Sequence, residues 1–346
     1  MDGTRTGEPR YIITIGASAG GLNSVIELMA GVTEEMDAAV FVVLHASNFA
    51  YTGAVVQRLQ KNSVFTCKLA EHNENIQSKH LYLAVPDQHL LIKRGKVLLG
   101  RGPVENRYRP SIDVLFRSAA VAYTSRVIGI ILTGLLEDGT TGMQIIKECG
   151  GTCIVQDPDE AEYPDMPKSV LRFVNVDYCT TLQRIGIILQ EKVRNGVPGP
   201  APVPAHIAKE AEIAERVVIG IENMEALGER SAYSCPDCGG GLWEIKEGGL
   251  TRFRCYTGHM YTADELQESK RRELENTFWV ALRILEERRN LLSKMAEEEK
   301  SKGWEHSARH KAERADELEV HIERIKEILF HATDDPEPTL LQLNGS

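Results

Sequence analysis

The sequence predicts an α/β fold in which a doubly wound, mostly parallel sheet carries helices on both faces, followed by a small zinc-ribbon-like module and a helical hairpin. Apolar runs rich in β-branched residues alternate with helical segments across residues 9–194. Cysteine and histidine then cluster within 230–261, and long charged segments with helical periodicity fill 262–331. These three observations indicate more than one domain in the 346-residue chain.

The first strand, over residues 11–15, ends in a glycine turn that carries a serine. Gly16-x-Ser18-x-Gly20 leads directly into a helical segment over 22–29. A strand, a sharp glycine turn, a serine and a helix are typical of a nucleophile elbow. Similar turns bind phosphate, but the spacing here is not Gly-x-Gly-x-x-Gly and no Gly-Lys-Ser/Thr follows. The turn alone leaves three readings open: a nucleophile, a nucleotide cradle and a purely structural turn.

A histidine and an aspartate follow two other apolar strands. Residues 38–44 read as a buried parallel strand with His45 directly after it. Residues 126–133 read as another buried strand, and Asp138 lies in the loop beyond it. Doubly wound sheets bind their ligands beyond the carboxyl ends of the strands. We therefore expect Ser18, His45 and Asp138 at one edge of the sheet.

These three residue types suit acyl transfer. Serine becomes a good nucleophile when a base takes its proton. A carboxylate on the other nitrogen of the histidine ring fixes the tautomer and stabilises the imidazolium. Two simpler readings stay open from the local sequence. His45 can be a hydrogen-bonded histidine at a strand end, and Asp138 can be only the N-cap of a helical segment over 139–148.

Four separated motifs carry a further signal. They are Ile15-Gly-Ala-Ser-Ala-Gly-Gly21, Leu81-Tyr-Leu-Ala-Val-Pro-Asp-Gln-His89, Arg109-Pro-Ser-Ile-Asp-Val-Leu-Phe-Arg-Ser-Ala119 and Leu132-Thr-Gly-Leu-Leu-Glu-Asp-Gly139. In this order they resemble the bacterial chemotaxis receptor protein-glutamate methylesterase family. The resemblance covers about residues 9–194. It implies a doubly wound α/β catalytic domain that hydrolyses glutamyl methyl esters on chemoreceptors, and members can also deamidate receptor glutamines.

The resemblance also implies roles for individual residues. Ser18 would be the nucleophile, His45 the general base and Asp138 its orienting carboxylate. The backbone N–H near Leu135 would join the oxyanion hole, and catalysis would need no cofactor. The implied partner is a methylated chemoreceptor or a related signalling protein.

The sequence departs from the family pattern near the predicted site. Ala19 stands where the family often has threonine, Ala46 and Ser47 follow the histidine in place of Met-Pro, and Tyr108 replaces a usual histidine. We interpret these positions as shaping the substrate groove. They keep a second hypothesis open, in which the domain is a catalytically weak binding or signalling scaffold. Because the catalytic domain begins near residue 9, we expect no N-terminal receiver domain, which many relatives carry.

Charge and hydropathy narrow the function further. The net charge of −10 is concentrated in the C-terminal part, since residues 1–195 carry a net −1 and residues 196–346 a net −9. An acidic chain argues against general nucleic-acid binding. We found no apolar run of about 18 residues and no signal-peptide core, so we expect no membrane insertion and a cytoplasmic location.

Residues 195–229 read as a proline-rich linker followed by a helix. Residues 195–204 contain four prolines and two glycines, which disfavour both helix and sheet. A segment from His206 to Leu227 then shows apolar residues at helical spacing and predicts a packed or docking helix.

Residues 230–261 carry a metal-ligand pattern. Cys235 and Cys238 form a Cys-x-x-Cys knuckle, and Cys255 and His259 follow after a sixteen-residue gap. These four ligands are a set that zinc prefers in closed, tetrahedral structural sites, so we predict structural zinc. A redox dithiol at the knuckle is the main alternative. A short hairpin with a turn over 246–249 would bring the two ligand pairs together.

Residues 262–331 predict two long helices. Thr262-Ala-Asp-Glu265 reads as a capping box, and Gly303 interrupts the helical pattern. Each segment has one apolar stripe and dense charge elsewhere, which fits either an antiparallel helical hairpin or coiled-coil formation of a homo-oligomer. Residues 332–346 predict a disordered tail.

Overall fold

The computed structural model describes residues 8–45, 52–196, 198–199, 201–215, 228–247 and 249–332. The chain divides into two compact units, Met1–Glu265 and Leu266–Ser346. The first contains the α/β domain and the Cys/His module, and the second contains most of two long helices.

The α/β domain is built around a seven-stranded parallel sheet. Its strands and those of one separate hairpin are, in chain order, β1 (Tyr11–Ala17), β2 (Ala38–Leu44), β3 (Thr66–Leu69), β4 (His80–Leu83), β5 (His89–Lys93), β6 (Lys96–Gly100), β7 (Val127–Ile131), β8 (Thr152–Gln156) and β9 (Tyr178–Thr180). The order in the sheet is β3-β4-β2-β1-β7-β8-β9, and every neighbouring pair is parallel. Strands β5 and β6 pair only with each other, antiparallel. The predicted parallel sheet is confirmed.

Helices cover both faces of this sheet. The helices of the domain are α1 (Gly21–Ala30), α2 (Thr52–Lys61), α3 (Ile112–Tyr123), α4 (Thr140–Glu148), α5 (Asp165–Phe173), α6 (Leu182–Arg194) and α7 (Ala205–Glu215). Successive residues of a strand point to opposite faces. Ile12 of β1 accordingly joins a core with Phe116 of α3, whereas Ile13 joins a second core with Val25 of α1 and Ile185 of α6. All seven residues of β1 are buried, as expected for a central parallel strand.

The strand order reverses beside β1. The chain runs outward from β1 through β2 and returns on the other side at β7. Doubly wound sheets place their ligand site at such a switch point, at the carboxyl ends of the strands. The fold therefore directs attention to the residues that follow β1, β2 and β7.

The Cys/His module is a four-stranded antiparallel sheet. Its strands are β10 (Glu229–Ser234), β11 (Gly241–Glu247), β12 (Leu250–Cys255) and β13 (Met260–Thr262), in that order. Leu242 pairs with Cys255 and Ile245 with Arg252, so the predicted hairpin is present. That register folds the knuckle at one end of the hairpin onto the Cys255–His259 segment.

Two long helices follow the module: α8 (Ala263–Ser301) and α9 (Glu305–Ala332). Ion pairs join Arg289 to Glu319 and Lys311 to Glu299, so the two helices run antiparallel, as the hairpin reading requires. The predicted helix over 206–227 is described only to Glu215, and most of the predicted tail lies outside the described residues. None of the described helices is both long and apolar enough to cross a membrane.

Candidate active site and metal centre

Ser18 and His45 occupy equivalent positions on neighbouring parallel strands. Ala17, the last residue of β1, pairs with Leu44, the last residue of β2. Ser18 therefore follows β1 at the same level at which His45 follows β2. The backbone N–H of His45 donates to the carbonyl of Ala17 at 3.2 Å. The two residues that the sequence singled out therefore lie side by side at the edge of the sheet.

The glycine turn after β1 positions Ser18. The N–H of Ser18 donates to the carbonyl of Thr133 at 3.0 Å, which ties the turn to the loop after β7. Gly20 has φ 73°, a left-handed conformation that favours glycine, and α1 begins at the next residue. A Cβ added to Gly134 would meet the Cβ of Ser18 at 2.8 Å, so that loop approaches the serine closely. The predicted oxyanion donor, the N–H near Leu135, belongs to the same loop.

His45 and Asp138 are hydrogen-bonded. The imidazole Nε2 lies 3.0 Å from Asp138 Oδ2, and the side chains are 4% and 0% exposed. The other ring nitrogen, Nδ1, is buried and has no hydrogen-bond partner within the described part of the chain. Nδ1 is therefore the ring nitrogen that stays available as a proton acceptor.

The Asp138 carboxylate lies against the N-terminus of α3. The N–H of Ile112 donates to Oδ2 at 2.7 Å, the N–H of Asp113 to Oδ1 at 3.2 Å, and the Ser111 hydroxyl to Oδ1 at 2.9 Å. Helix α4 instead begins after Gly139, whose φ is 101°. The reading of Asp138 as the N-cap of α4 is therefore wrong. The amides at the start of α3 stabilise a negative charge at this position.

The pKa values of Asp138 and its neighbour Asp113 are shifted in opposite directions. Burial alone would raise the pKa of Asp138, but hydrogen bonds from His45, Asn106 and the N–H of Ile112 hold that pKa below its ordinary value. Burial, and then the charge of Asp138, raise the pKa of Asp113 to about 7. Two nearby carboxyl groups with diverging pKa values are typical of functional sites. Asp138 is the member that stays ionised beside the imidazole.

Two residues of this site escaped the sequence analysis or were assigned a different task. The Asn106 side-chain amide donates to Asp138 Oδ1 at 3.0 Å and to Asp113 Oδ2 at 2.6 Å. The Tyr108 ring stacks on the imidazole of His45, with centroids 3.5 Å apart and planes 8° apart. Tyr108 therefore contacts the histidine itself, whereas the sequence suggested only a role in the substrate groove. The position of Tyr108 just before Arg109-Pro-Ser was the one available signal.

The four predicted metal ligands lie together in the module. The Sγ atoms of Cys238 and Cys255 are 3.7 Å apart, and His259 Nδ1 lies 3.6 Å from Cys235 Sγ and 3.4 Å from Cys255 Sγ. All four ligand atoms fall within 4.8 Å of one another. Tetrahedral zinc, with Zn–S of about 2.3 Å and Zn–N of about 2.0 Å, implies S···S of about 3.8 Å and S···N of about 3.6 Å. The donor set and its spacing therefore fit a tetrahedral zinc ion.

Comparison with known proteins gives the family. The family model described as CheB methylesterase matches residues 13–189. A Leptospira interrogans protein, provisionally named protein-glutamate methylesterase/protein-glutamine glutaminase, is 38% identical over 174 residues, which are 50% of this chain and 90% of that protein. Protein-glutamate methylesterase/protein-glutamine glutaminase 2 of Methanosarcina acetivorans is 36% identical over 172 residues, 47% of this chain and 48% of that protein.

A solved structure is similar as well. The crystal structure of the Thermotoga maritima CheB methylesterase catalytic domain matches with a TM-score of 0.50 and 33% identity, covering 53% of this chain and 98% of that domain. The fold, the sheet-edge residues and a family match over half of the sequence agree, and this chain belongs to the CheB methylesterase family.

Proposed function

We propose that the protein is a protein-glutamate methylesterase, a serine hydrolase that removes methyl esters from glutamyl side chains and releases methanol. One observation carries the proposal: His45, which is hydrogen-bonded to the buried Asp138, follows the strand next to the one that ends before Ser18. The relatives named protein-glutamate methylesterase/protein-glutamine glutaminase support the same substrate class, and they extend it to glutamine deamidation.

The proposed reaction proceeds through an acyl-enzyme. Ser18 Oγ attacks the ester carbonyl while His45 Nδ1 takes the hydroxyl proton, and Asp138 stabilises the resulting imidazolium. The tetrahedral intermediate collapses, the C–O bond to the methoxy group breaks, and the imidazolium protonates the leaving group to methanol. A water molecule, deprotonated by His45, then attacks the acyl-enzyme and releases the glutamate carboxylate and Ser18. No cofactor enters this sequence.

The oxyanion of both intermediates needs N–H donors. We assign this role to backbone N–H groups beside Ser18, namely those at the start of α1 and that of Leu135, because the N–H of Gly134 already donates to the carbonyl of Tyr163 at 2.9 Å. Backbone donors do not depend on the side chain at position 19, so Ala19 in place of the threonine common in the family leaves them intact.

The test is methanol release from methylated chemoreceptor membranes by the native protein and by Ser18→Ala. We expect release from the native protein and its loss in the variant. Labelling by a fluorophosphonate probe provides an independent readout, because a scaffold without catalysis would not react at Ser18. Release that survives Ser18→Ala, or no labelling of the native protein, would contradict the proposal and favour the scaffold.

We also propose that Cys235, Cys238, Cys255 and His259 bind one structural zinc ion. Four protein ligands leave no open position for substrate, so the metal would stabilise the module without taking part in hydrolysis. Replacement by Co²⁺ should give the thiolate-to-metal absorption bands of a tetrahedral sulfur site. Cys238→Ser should weaken those bands, whereas Cys179→Ser, an exposed cysteine outside the cluster, should leave them unchanged.

Location, assembly and domain limits complete the proposal. A methylated chemoreceptor or related signalling protein as substrate implies action in the cytoplasm. The C-terminal helices are a candidate site for homo-oligomer formation, which light scattering of the chain with and without residues 262–346 would test. The zinc-ribbon-like module is proposed to span 230–261, between the linker region 195–229 and the helices of 262–331.

A further inference from the structure

The Cys/His module contacts the loop that completes the candidate active site. The N–H of Asn106 donates to the carbonyl of Met260 in β13 at 3.0 Å, and Glu105 forms an isolated parallel bridge with the same residue. A Cβ added to Gly258 would meet the ring of Pro103 at 3.1 Å, so the module also approaches the start of this loop. We refer to residues 103–108 as the bridging loop.

On its other side, the bridging loop contacts the proposed catalytic residues. The Asn106 side chain bonds Asp138, and Tyr108 stacks on His45, as described above. One residue, Asn106, therefore uses its backbone N–H on the module and its side-chain amide on the triad carboxylate. Any displacement of Met260 relative to the sheet acts directly on the position of that amide.

The backbone of the bridging loop requires outside support. Glu105 and Tyr108 close a tight turn through reciprocal backbone hydrogen bonds, with Asn106 at φ 50° and Arg107 at φ 70°. Turns with positive φ at both central residues favour Asn-Gly or Gly-Gly. A non-glycine residue such as Arg107 is strained in the left-handed region and persists there when surrounding contacts fix it. The module supplies such contacts.

A buried ion cluster joins the bridging loop, helix α3 of the catalytic domain and strand β12 of the module. Glu105 is 3% exposed, and its carboxylate lies 2.9 Å from Arg117 of α3 and 3.8 Å from Arg254 of β12. Both guanidinium groups are buried. Removing one partner of a buried ion cluster is strongly destabilising, because it leaves an uncompensated charge. Glu105 thus fixes the bridging loop between the catalytic domain and the module.

The module residues that contact the loop are chain neighbours of two metal ligands. Arg254 immediately precedes Cys255, and Met260 immediately follows His259. Arg254 also pairs with Met260 across β12 and β13. A metal ion that fixes Cys255 and His259 therefore fixes both contact residues.

We propose that the metal-bound module is a structural brace of the active site, in which Arg254 and the Met260 carbonyl hold the bridging loop so that Asn106 and Tyr108 position Asp138 and His45. The inference rests on the proposed hydrolase function. It makes Asn106, Tyr108 and Arg254 positioning residues and makes esterase activity dependent on the metal of the module.

Hydrogen exchange tests the brace without relying on activity. The full chain is compared in its metal-loaded form, after removal of the metal by a chelator, and as Arg254→Met. We expect the amides of the bridging loop to exchange at least tenfold faster in the second and third samples. Lys246→Met, an exposed lysine of the same sheet, is the matched control and should exchange as the native protein does.

Kinetics supplies the second arm. Arg254→Met should lower kcat for ester hydrolysis at least tenfold with little change in KM, because it displaces positioned groups and not substrate contacts. Arg254→Lys, which keeps the charge, should retain more of kcat, and Glu105→Gln should reproduce the loss from the other side of the ion cluster. These results would support a positioning role.

Three other results would overturn the brace. Unchanged exchange together with unchanged kcat would make the module a spacer. Faster exchange with a raised kcat would make it a cover that inhibits the site. Unchanged exchange with a lowered kcat would assign the loss to some other effect of the arginine. Failure of the hydrolase assignment appears separately, as fluorophosphonate labelling or methanol release that Ser18→Ala does not abolish, and the exchange arm still decides whether the loop is braced.

Discussion

The candidate active site and the Cys/His cluster are both groups of polar side chains brought together by the fold, but they are assembled in different ways. The cluster draws its four ligands from 25 consecutive residues, brought together by one antiparallel hairpin. The active site draws Ser18, His45 and Asp138 from the ends of three strands and the loops after them, over more than 100 residues. A local centre depends on ligand identity and turn geometry. A long-range centre depends on the packing of the whole sheet and on further residues, here Asn106 and Tyr108, that contact and orient Asp138 and His45.

The largest effect expected from this difference is at Asp138. Asp138→Asn should lower kcat by roughly 10³–10⁴-fold, as loss of the orienting carboxylate does in serine hydrolases. The amide has one acceptor oxygen, whereas the carboxylate accepts from His45, Asn106, Ser111 and two backbone N–H groups. Steady-state kinetics on a methyl ester substrate would measure the loss.

Asp87→Asn is the control for the removal of one carboxylate. Asp87 lies on the surface and pairs with Arg109, so its replacement should change kcat by less than twofold. Equal losses in the two variants, or an Asp138→Asn enzyme with native kcat, would show that the carboxylate does not orient the catalytic histidine.

The same difference decides how much was predictable from sequence. The parallel sheet and the hairpin of the module follow from apolar runs and turn residues, and both are confirmed. The sequence predicts Ser18, His45 and Asp138 at one edge of the sheet because the carboxyl ends of strands in doubly wound folds converge there. Their catalytic roles and the zinc ion stay predictions. No comparable rule exists for Asn106, which acts from an irregular loop with positive φ, so its contact with Asp138 appeared only with the structure.

Asp138 itself illustrates the limit of local patterns. Its position before a helical segment suggested an N-cap for that helix, and the carboxylate instead accepts from the start of α3, some 25 residues upstream. Both readings satisfy helix N-terminal amides, but only tertiary packing decides which helix benefits. Sequence reasoning identified the residue and not its partner.

At the metal cluster, replacement of a single ligand should weaken metal binding and change little in the parallel sheet of the α/β domain. Cys255→Ser should weaken zinc affinity by more than the roughly 10–100-fold that loss of a hydrogen-bonding partner of a ligand costs. Competition with a chromophoric chelator would measure the affinity. Cys149→Ser, a buried cysteine of the α/β domain, is the matched control and should leave the affinity unchanged. Equal affinities of both variants and the native protein would exclude the four-ligand site.

Glu265 is coupled to the candidate active site through charge. The residue is 3% exposed at the start of α8, where it forms the predicted capping box with Thr262. Burial, and then the negative charge of Asp138, raise the pKa of Glu265 from 4.5 to about 8. A carboxyl group with a raised pKa stabilises the folded state fully below the unfolded pKa and loses that contribution as the pH rises through the folded pKa.

Glu265→Gln removes this titration while keeping a capping acceptor. We expect the free energy of unfolding of the variant, relative to that of the native protein, to increase between pH 4.5 and 8, by at most about 1.4 kcal/mol per pH unit. Urea unfolding at pH 5, 6.5 and 8, chosen to span about that window, would measure it. The exposed Glu229→Gln should show no such trend. A parallel pH dependence of Glu265→Gln and the native protein would refute the charge coupling between Glu265 and Asp138.

The smallest effects are expected from glycine-to-alanine substitutions, one beside the active site and one beside the metal cluster. In the α/β domain, Gly16→Ala would place its Cβ 2.5 Å from the Ile112 side chain and 2.9 Å from that of Ile131, directly beneath the serine turn. Overpacking of this kind costs about 1–3 kcal/mol. In the knuckle, Gly239→Ala has open space around the added Cβ, but φ is 71°, a left-handed backbone that costs an L-residue about 1–2 kcal/mol.

The two costs are of similar size and should therefore be separated by what else changes. Gly16→Ala pushes on Ile112, whose N–H donates to Asp138, so it should lower both the free energy of unfolding and kcat. Gly239→Ala strains only its own turn, so it should lower zinc affinity or module stability, while labelling of Ser18 by the fluorophosphonate probe, measured at saturating zinc, stays within twofold of native. Unfolding, probe labelling and zinc titration on the same two samples measure all three quantities. If Gly16→Ala destabilises the fold but keeps native kcat, the active site tolerates displacement of the sheet edge, and the contrast between a long-range and a local centre fails at the point where packing and catalysis are joined.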